Sequence, residues 1–409
     1  MRNEFERVVI TGMGGVSPLG QSIDEMCAAI EGGKTAIRRM PEWEGLGLHG
    51  LLGAPAELTN ERMIPRDARR SMGRMSMFAV QAAQQALADA GIAEEECGTG
   101  RLGCVIGSTI GSTASIVDMF GGFAKSGAID TIIPTKLFHC ISNTAVMNVV
   151  NTLGIKGWMQ APCGACASGA LAVGEAFDAI RLGRQDVMLA GGAEELHPIA
   201  SGMFDLLNAT STRFNDCPEA ASRPFDRDRD GLVCGEGAGV FVLESYSHAA
   251  ARNARILAEV KGFCLSASGI HVSQSNNAGM IRCINGALAD AGIGADSIGY
   301  VNAHATSTPQ GDREEAEALR MLFGGNVPVS SLKGYLGHTL GASGALELAA
   351  ALRMMEKGVF YPTRNLENVA DDCAGLHHLV RVEELRPNYI LKNSFGFGGV
   401  NCALVIARV

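Results

Sequence analysis

The pentapeptide Ala-Ser-Gly-Ala-Leu occurs twice in this chain, at 167–171 and 342–346. Each copy is followed by eleven residues and then a glycine, Gly183 or Gly358. Two further pairs keep the same order. Ala-Leu-Ala-Asp-Ala-Gly-Ile stands at 86–92 and 287–293. The glycine-rich starts GEGAGVFVLE (235–244) and GFGGVNCALVI (396–406) both run into apolar stretches. A repeat this long excludes a solenoid, whose units span roughly 20–50 residues. It implies two similar halves, 1–254 and 255–409. Whatever one half folds into, the other must fold into as well.

Each Ala-Ser-Gly-Ala-Leu copy reads as the start of a helix. In the first, Leu171, Phe177 and Ile180 are the apolar positions, good helix formers lie between them, and a glycine ends the run. Cys166 therefore stands at or just before a helix N-terminus, where unpaired N–H groups and the helix dipole favour a thiolate. Its small neighbours leave the sulfur open. The matching position in the second half is Gly341. One half carries a nucleophile, and the other supplies something different at the matching place.

Strands and helices alternate elsewhere, which points to α/β layers. RVVITGMGGVSPLG (7–20) reads as a buried strand entering a glycine-rich turn. Ser17 replaces the third glycine of a dinucleotide fingerprint, so a nucleotide site is not expected. GCVIGSTIGS (103–112) and DVMLAGGAEE (186–195) read as strands, 76–90 and most of 113–152 as helix, and 208–235 as a polar surface loop. Strand 296–304 delivers His304 at its tip. Arg62, Arg66, Arg69, Arg70 and Arg74 make 62–78 locally basic in a chain of net charge −9, a solvated face or a docking patch for an acidic partner. The acidic balance argues against a general nucleic-acid binder. No run has the length of a membrane span, and MRNEFERVVITG lacks the apolar core of a signal peptide. The 12 cysteines are expected to be reduced thiols in a cytosol. Cys163-x-x-Cys166 has no second C-x-x-C to complete a zinc site.

The remaining unusual polar residues sit on glycine-rich turns: NAHATSTPQGD (302–312), SSLKGYLGHTLGASG (330–344) and KNSFGFGGVN (392–401). His338 lies just ahead of the second helix start, so two matching helix starts facing one site would bring a sulfur and an imidazole together.

With GACASG, these strings resemble the motifs of the β-ketoacyl-[acyl carrier protein] synthases, the elongating condensing enzymes of the thiolase superfamily. The resemblance covers essentially the whole chain. It implies a five-layered α-β-α-β-α fold built from two duplicated halves, and decarboxylative condensation of an enzyme-bound acyl thioester with malonyl-carrier protein. Cys166 resembles the acyl-accepting nucleophile. His304 and His338 resemble the pair that binds the malonyl thioester carbonyl, donating from Nε2. Lys333 resembles the lysine that orients the second histidine. The resemblance further implies an oxyanion hole from the N–H groups of Cys166 and Phe397 and gate residues Phe395 and Phe397. Thr306 and Thr308 would line the pantetheine approach, and Ile110 the acyl pocket. Asp312 and Glu347 would be supporting carboxylates. Asn302, Glu347 and Asn393 match positions that surround a monovalent cation in some relatives.

No cofactor of the enzyme's own is implied, since phosphopantetheine rides on the acyl carrier protein. That protein would dock on Arg66, Arg70 and Lys136. Relatives are homodimers, and pairing with a chain-length-factor-like subunit is the alternative. Gly164-Ala165 replaces the family's usual Thr-Ala, Ala305 a common glycine, and Val400 a usual threonine. These departures keep two pathways open, fatty acid synthesis and a specialised polyene or polyketide route. A degradative thiolase would carry a second cysteine in place of the lysine and histidine. A non-catalytic scaffold would not need Cys166.

Overall fold

The computed structural model describes residues 5–59 and 61–409; the first four residues of the N-terminal segment read above lie outside that range. The main sheet is built from β1 (Val8–Val16), β2 (Leu102–Gly107), β3 (Met159–Gln160), β4 (Val187–Glu194), β5 (Gly237–Ser245), β6 (Ala258–Ala267), β7 (Ile298–Asn302), β8 (Pro328–Ser330), β9 (His377–His378), β10 (Tyr389–Gly396) and β11 (Val400–Ala407). These 11 strands run in the order β9-β8-β7-β10-β11-β6-β1-β5-β4-β2-β3. The order is a near mirror about the β6–β1 seam, where Val8 pairs antiparallel with Val260. One side uses only residues before 246 and the other only residues after 257. The repeated segments hold matching places: the two glycine-rich starts become β5 and β11, next to the seam strands.

The helices explain why the central strands are apolar on both faces. Helices α1 (Arg74–Ala90) and α2 (Thr144–Leu153) cover the outer face of the first half-sheet; α3 (Ser168–Arg181) and α6 (Ser343–Lys357) lie between the half-sheets; α4 (Asn277–Ala291) and α5 (Pro309–Phe323) cover the far side. Along β5, Phe241 and Leu243 pack toward the middle layer while Val240 and Val242 pack against α1. A strand covered on both faces carries a continuous apolar run instead of an alternating one. The result is the five-layered α/β arrangement of the thiolase-like fold.

Two readings of the sequence need correction. Gly12 and Gly14 lie inside β1 and not in a turn after it. A Cβ on Gly14 would come 2.2 Å from the carbonyl oxygen of Ala82, and one on Gly12 2.4 Å from that of Ala86. These glycines let α1 press against the strand. Residues 221–235 are largely buried, whereas exposed residues concentrate in 212–219, so the surface-loop reading holds only for the first part of 208–235. The buried charges pair with one another and with nearby backbone: Arg223 Nε lies 2.9 Å from Asp226 Oδ1, and Asp226 Oδ2 accepts from the N–H groups of Glu367 and Asn368. The loop underlies the His304 turn, with Gly231 N–H donating to Ser307 O and Arg223 N–H to Ser307 Oγ.

At the centre, α3 and α6 cross with almost no side chain between them. A Cβ on Gly169 would meet Gly341 O at 2.7 Å, and one on Gly344 would meet Ala170 N at 2.6 Å. The repeat is visible even in strained backbone: Ala165 and Leu340, one residue before Cys166 and Gly341, have φ of 48° and 47°. No helix among the described residues is long and apolar enough to cross a membrane, and the cysteines are free thiols.

Candidate active site

Cys166 follows the left-handed Ala165 and precedes α3. The turn is tied by Ser168, whose Oγ donates to Ala165 O at 2.6 Å and accepts from Gly164 N–H at 2.9 Å, and by Thr109, which donates to Ala165 O at 3.0 Å. The sulfur is surrounded by Phe204, Leu232, Cys234 and Leu340, with Ile110 and Phe397 packed beside them. Burial pushes the thiol up to about 12, with Lys333 opposing. Burial thus opposes the thiolate that the helix N-terminus favours. Loss of hydration outweighs the helix N-terminus, and the sulfur waits as a thiol.

The second half brings the imidazoles. His304 lies two residues past β7, in a turn clamped from α5. Glu315 accepts from His304 N–H at 2.9 Å and Ala305 N–H at 2.7 Å, while Asp312 accepts from Thr306 N–H at 2.9 Å and Ser307 N–H at 3.1 Å. Asp312 also accepts from Phe225 N–H, and burial raises it to about 7. Ser307, at φ 74°, makes the bend. His338 is held through its own backbone, which exchanges hydrogen bonds with Val233 and Gly235. The donor atoms of Cys166, His304 and His338 lie within 4.8 Å of one another, and the two imidazoles meet edge to face at 5.2 Å.

Both rings are buried, and burial is the main reason both are neutral. His304 is held well below its ordinary value, and His338 is lowered to about 3, with the Lys333 ammonium adding to burial in each case. Lys333 makes no hydrogen bond to His338. Its Nζ lies 2.6 Å from Glu347 Oε1, and Ser343 Oγ, which also donates to Glu347, lies 3.3 Å from His338 Nδ1. Burial would raise Glu347, but Lys333 and Lys392 outweigh it and hold the carboxylate down at about 2.

A cleft opens onto these groups. Thr306 and Thr308 line it, their hydroxyls 3.0 Å apart. Phe395 stands 6.2 Å from the His304 ring, and Phe397 stacks at 5.7 Å on Phe204. Between the two phenylalanines, Gly396 packs onto the nucleophile turn, where a Cβ would sit 3.3 Å from Cys166 N. Gly398 and Gly399 take φ of 82° and 74°, backbone that a side chain would strain.

Comparison with known families decides what this arrangement is. A profile described as "Beta-ketoacyl synthase, N-terminal domain" matches residues 5–249, and one described as "Beta-ketoacyl synthase, C-terminal domain" matches 257–367. The chain belongs to the β-ketoacyl synthase family. Among relatives, the 3-oxoacyl-[acyl-carrier-protein] synthase 1 of Escherichia coli K12 is 34% identical over 99% of this chain and 100% of its own. The crystal structure of a β-ketoacyl synthase from Burkholderia phymatum is 45% identical, with a TM-score of 0.95 over 99% of this chain and 100% of that one. A more distant structure, AntDE:AntF, is 31% identical with a TM-score of 0.91, covering 99% of this chain and 100% of that one. It holds a type II polyketide acyl carrier protein in complex with its ketosynthase.

Within this β-ketoacyl synthase the basic stretch divides. Arg66 and Arg70 are exposed, Arg70 only loosely paired with Asp67 at 3.6 Å. Lys136 is 2.6 Å from Asp118 and already paired. Arg74 is structural, bound to Glu236 at 2.8 Å.

The monovalent-cation set does not fit. Glu347 Oε1 is taken by Lys333 and Ser343, and Lys392 Nζ lies 2.7 Å from both Glu347 Oε2 and Asn393 O. A further unit positive charge about 4 Å from that ammonium would be repelled by about 4 kcal/mol at an effective dielectric of about 20. Sequence reading missed Lys392, Glu315 and Glu194. Glu194 is buried and accepts from the N–H groups of Thr109, Ile110 and Gly341, tying the turn that holds Ala165 through Thr109 to Gly341, the twin of Cys166. The available signal for Lys392 was a charge inside the strand run YILKNSFG, since buried lysines are rare.

Proposed function

We propose that Cys166 carries the acyl chain as a thioester and that His304 and His338 serve the malonyl half-reaction of the 3-oxoacyl-[acyl-carrier-protein] synthase condensation. The observation that carries this reading is the convergence of one thiol and two neutral imidazoles within 4.8 Å. The thiol sulfur attacks the acyl thioester, its proton passes to the departing pantetheine sulfur, and a new thioester forms at little thermodynamic cost. Malonyl-carrier protein then enters and loses CO₂. The electron pair left behind forms an enolate, whose oxygen needs hydrogen-bond donors, and neutral imidazoles can supply them. The enolate carbon attacks the Cys166 thioester. The backbone N–H groups of Cys166 and Phe397 receive the oxyanion. Collapse expels the sulfur as thiolate, which takes up a proton, and 3-oxoacyl-carrier protein leaves. Lys333 and Glu347 act from behind, on charge and on the placement of His338. Phe395 and Phe397 gate the cleft, Thr306 and Thr308 guide the pantetheine arm, and Ile110 borders the acyl end.

The halves divide at 254/255. The carrier protein docks on Arg66 and Arg70, and the chain pairs with a second copy. A run of exposed apolar side chains supports that pairing: Phe120, Phe123, Ile129, Ile133 and Leu137.

The test is mass spectrometry of the purified enzyme with acyl-carrier proteins of stepped chain length plus malonyl-carrier protein. Acyl mass on the Cys166 peptide, and none in Cys166→Ser, is expected. Full product formation by Cys166→Ser would refute the role. Extension of saturated chains is expected for fatty acid synthesis, whereas extension of conjugated or aromatic starters alone would mark a specialised pathway.

A further inference from the structure

Lys392 stands in the middle of β10 with its side chain turned inward and fully buried. An ammonium in such a place must find oxygens to replace water. It finds two at 2.7 Å, Glu347 Oε2 and the Asn393 carbonyl. Lys333 holds the other oxygen of the same carboxylate, so one glutamate is bracketed by two ammonium groups directly behind the imidazoles. Glu315 is the neighbouring carboxylate, joined to the group by Asn393, whose Nδ2 donates to Glu315 Oε1 at 3.0 Å. Across the sheet Lys392 pairs in register with Asn302. The buried oxygens Asn302 Oδ1, Asn393 Oδ1 and Ser394 Oγ have no partner among the described residues. The positive charge that an alkali-metal ion would bring is here covalently attached, held by Glu347 Oε2 and the Asn393 carbonyl.

We propose that Lys392 is the resident cation of this site: its ammonium takes the place of an exchangeable monovalent ion and acts as a positioning residue for Glu347, and through Glu347 for Lys333 and Ser343 beside His338. This deepens the role given above to Glu347 and Lys333 and rests on that reading. Both ammonium groups also disfavour protonation of His304 and His338. The charged or titratable groups facing Lys392 are Glu347 and Lys333 from the second half's central turn and helix, Glu315 from α5, Cys402 from β11, and the two histidines.

The test uses the full-length enzyme in KCl, NaCl and choline chloride at equal ionic strength, read by condensation rate and by melting temperature. The wild type is expected to give the same rate and the same melting temperature in all three. Lys392→Ser is expected to lose roughly ten- to a hundredfold in kcat, the scale on which groups orienting a reactive set are felt. KCl or ammonium chloride should restore most of that loss and raise the melting temperature, and choline chloride should do neither. Lys392→Arg should keep the cation independence, with the rate reduced by its larger head group.

A wild-type enzyme stabilised or activated by K⁺ or Na⁺ over choline would overturn the proposal. So would a Lys392→Ser enzyme as fast as the wild type, or one whose loss no salt restores. The wild-type comparison decides even where Lys392→Ser fails to fold. Acyl transfer to Cys166 without malonyl-carrier protein, measured in parallel, separates failure of this proposal from failure of the nucleophile assignment.

Discussion

Replacing His338 with glutamine should make the protein lose less stability in mild acid. An unfolded histidine titrates near its ordinary value of about 6.5, while His338 in the fold titrates at about 3 because it is buried near Lys333. Between those values the unfolded chain binds a proton that the folded one refuses. Stability is therefore full above about pH 6.5 and falls as the pH drops toward 3. At pH 5 the gap below the unfolded value is about 1.5 units, which at 1.36 kcal/mol per unit is about 2 kcal/mol. Any folded value below about 4 gives the same figure at pH 5, so the number is robust to the exact shift. His304 pulls in the same direction. Asp312 pulls the other way, because its raised folded value makes the fold bind a proton that the unfolded chain releases. The clean quantity is thus the difference between proteins. Urea unfolding, followed by the fluorescence of the buried Trp43 and the partly buried Trp158, is measured at pH 8 and pH 5. The wild type should lose about 2 kcal/mol more than His338→Gln between the two. Equal losses would mean that His338 is charged or solvated in the fold, and the neutral-imidazole argument would go with it.

Three further outcomes follow from the same geometry. Glu315→Ala leaves the N–H groups of His304 and Ala305 without acceptors, each worth roughly 1–3 kcal/mol when buried; malonyl decarboxylation should fall at least tenfold while acylation of Cys166, followed by mass spectrometry, persists. Zn²⁺ should inhibit reversibly by taking the three donors of Cys166, His304 and His338; EDTA should restore activity, and acylated enzyme should resist, because its sulfur is blocked. Arg66→Glu combined with Arg70→Glu should raise KM for the acyl carrier protein and steepen with falling salt, leaving kcat with a saturating small thioester substrate unchanged; an unaltered KM would move the docking surface elsewhere.

What could be read from the sequence was what repeats or what sits on a glycine-rich turn. The paired Ala-Ser-Gly-Ala-Leu starts gave away the twin central helices, and the polar turns gave away Cys166, His304 and His338, because short motifs carry their own backbone geometry. Charge state was not legible. At Cys166 burial, a property of the whole fold, opposes the thiolate that the local dipole favours. Residues 221–235 looked exposed because the charges are many; only the fold shows that Arg223 and Arg229 both bond Asp226. Glu315 and Lys392 escaped for a related reason. Each lies on an ordinary helix or strand, and its importance comes from a partner on another element: the His304 turn for Glu315 and, 45 residues away, Glu347 for Lys392.

The close approach of Gly169 to Gly341 and of Gly344 to Ala170 is in effect a ruler. The sulfur belongs to one half and the imidazoles to the other, so their separation is set by how closely two bare helix surfaces can touch, and one methyl group on either would lengthen it. Catalysis tolerates little such drift. A small molecule that wedges the halves apart far from the cleft would therefore silence the enzyme without entering it.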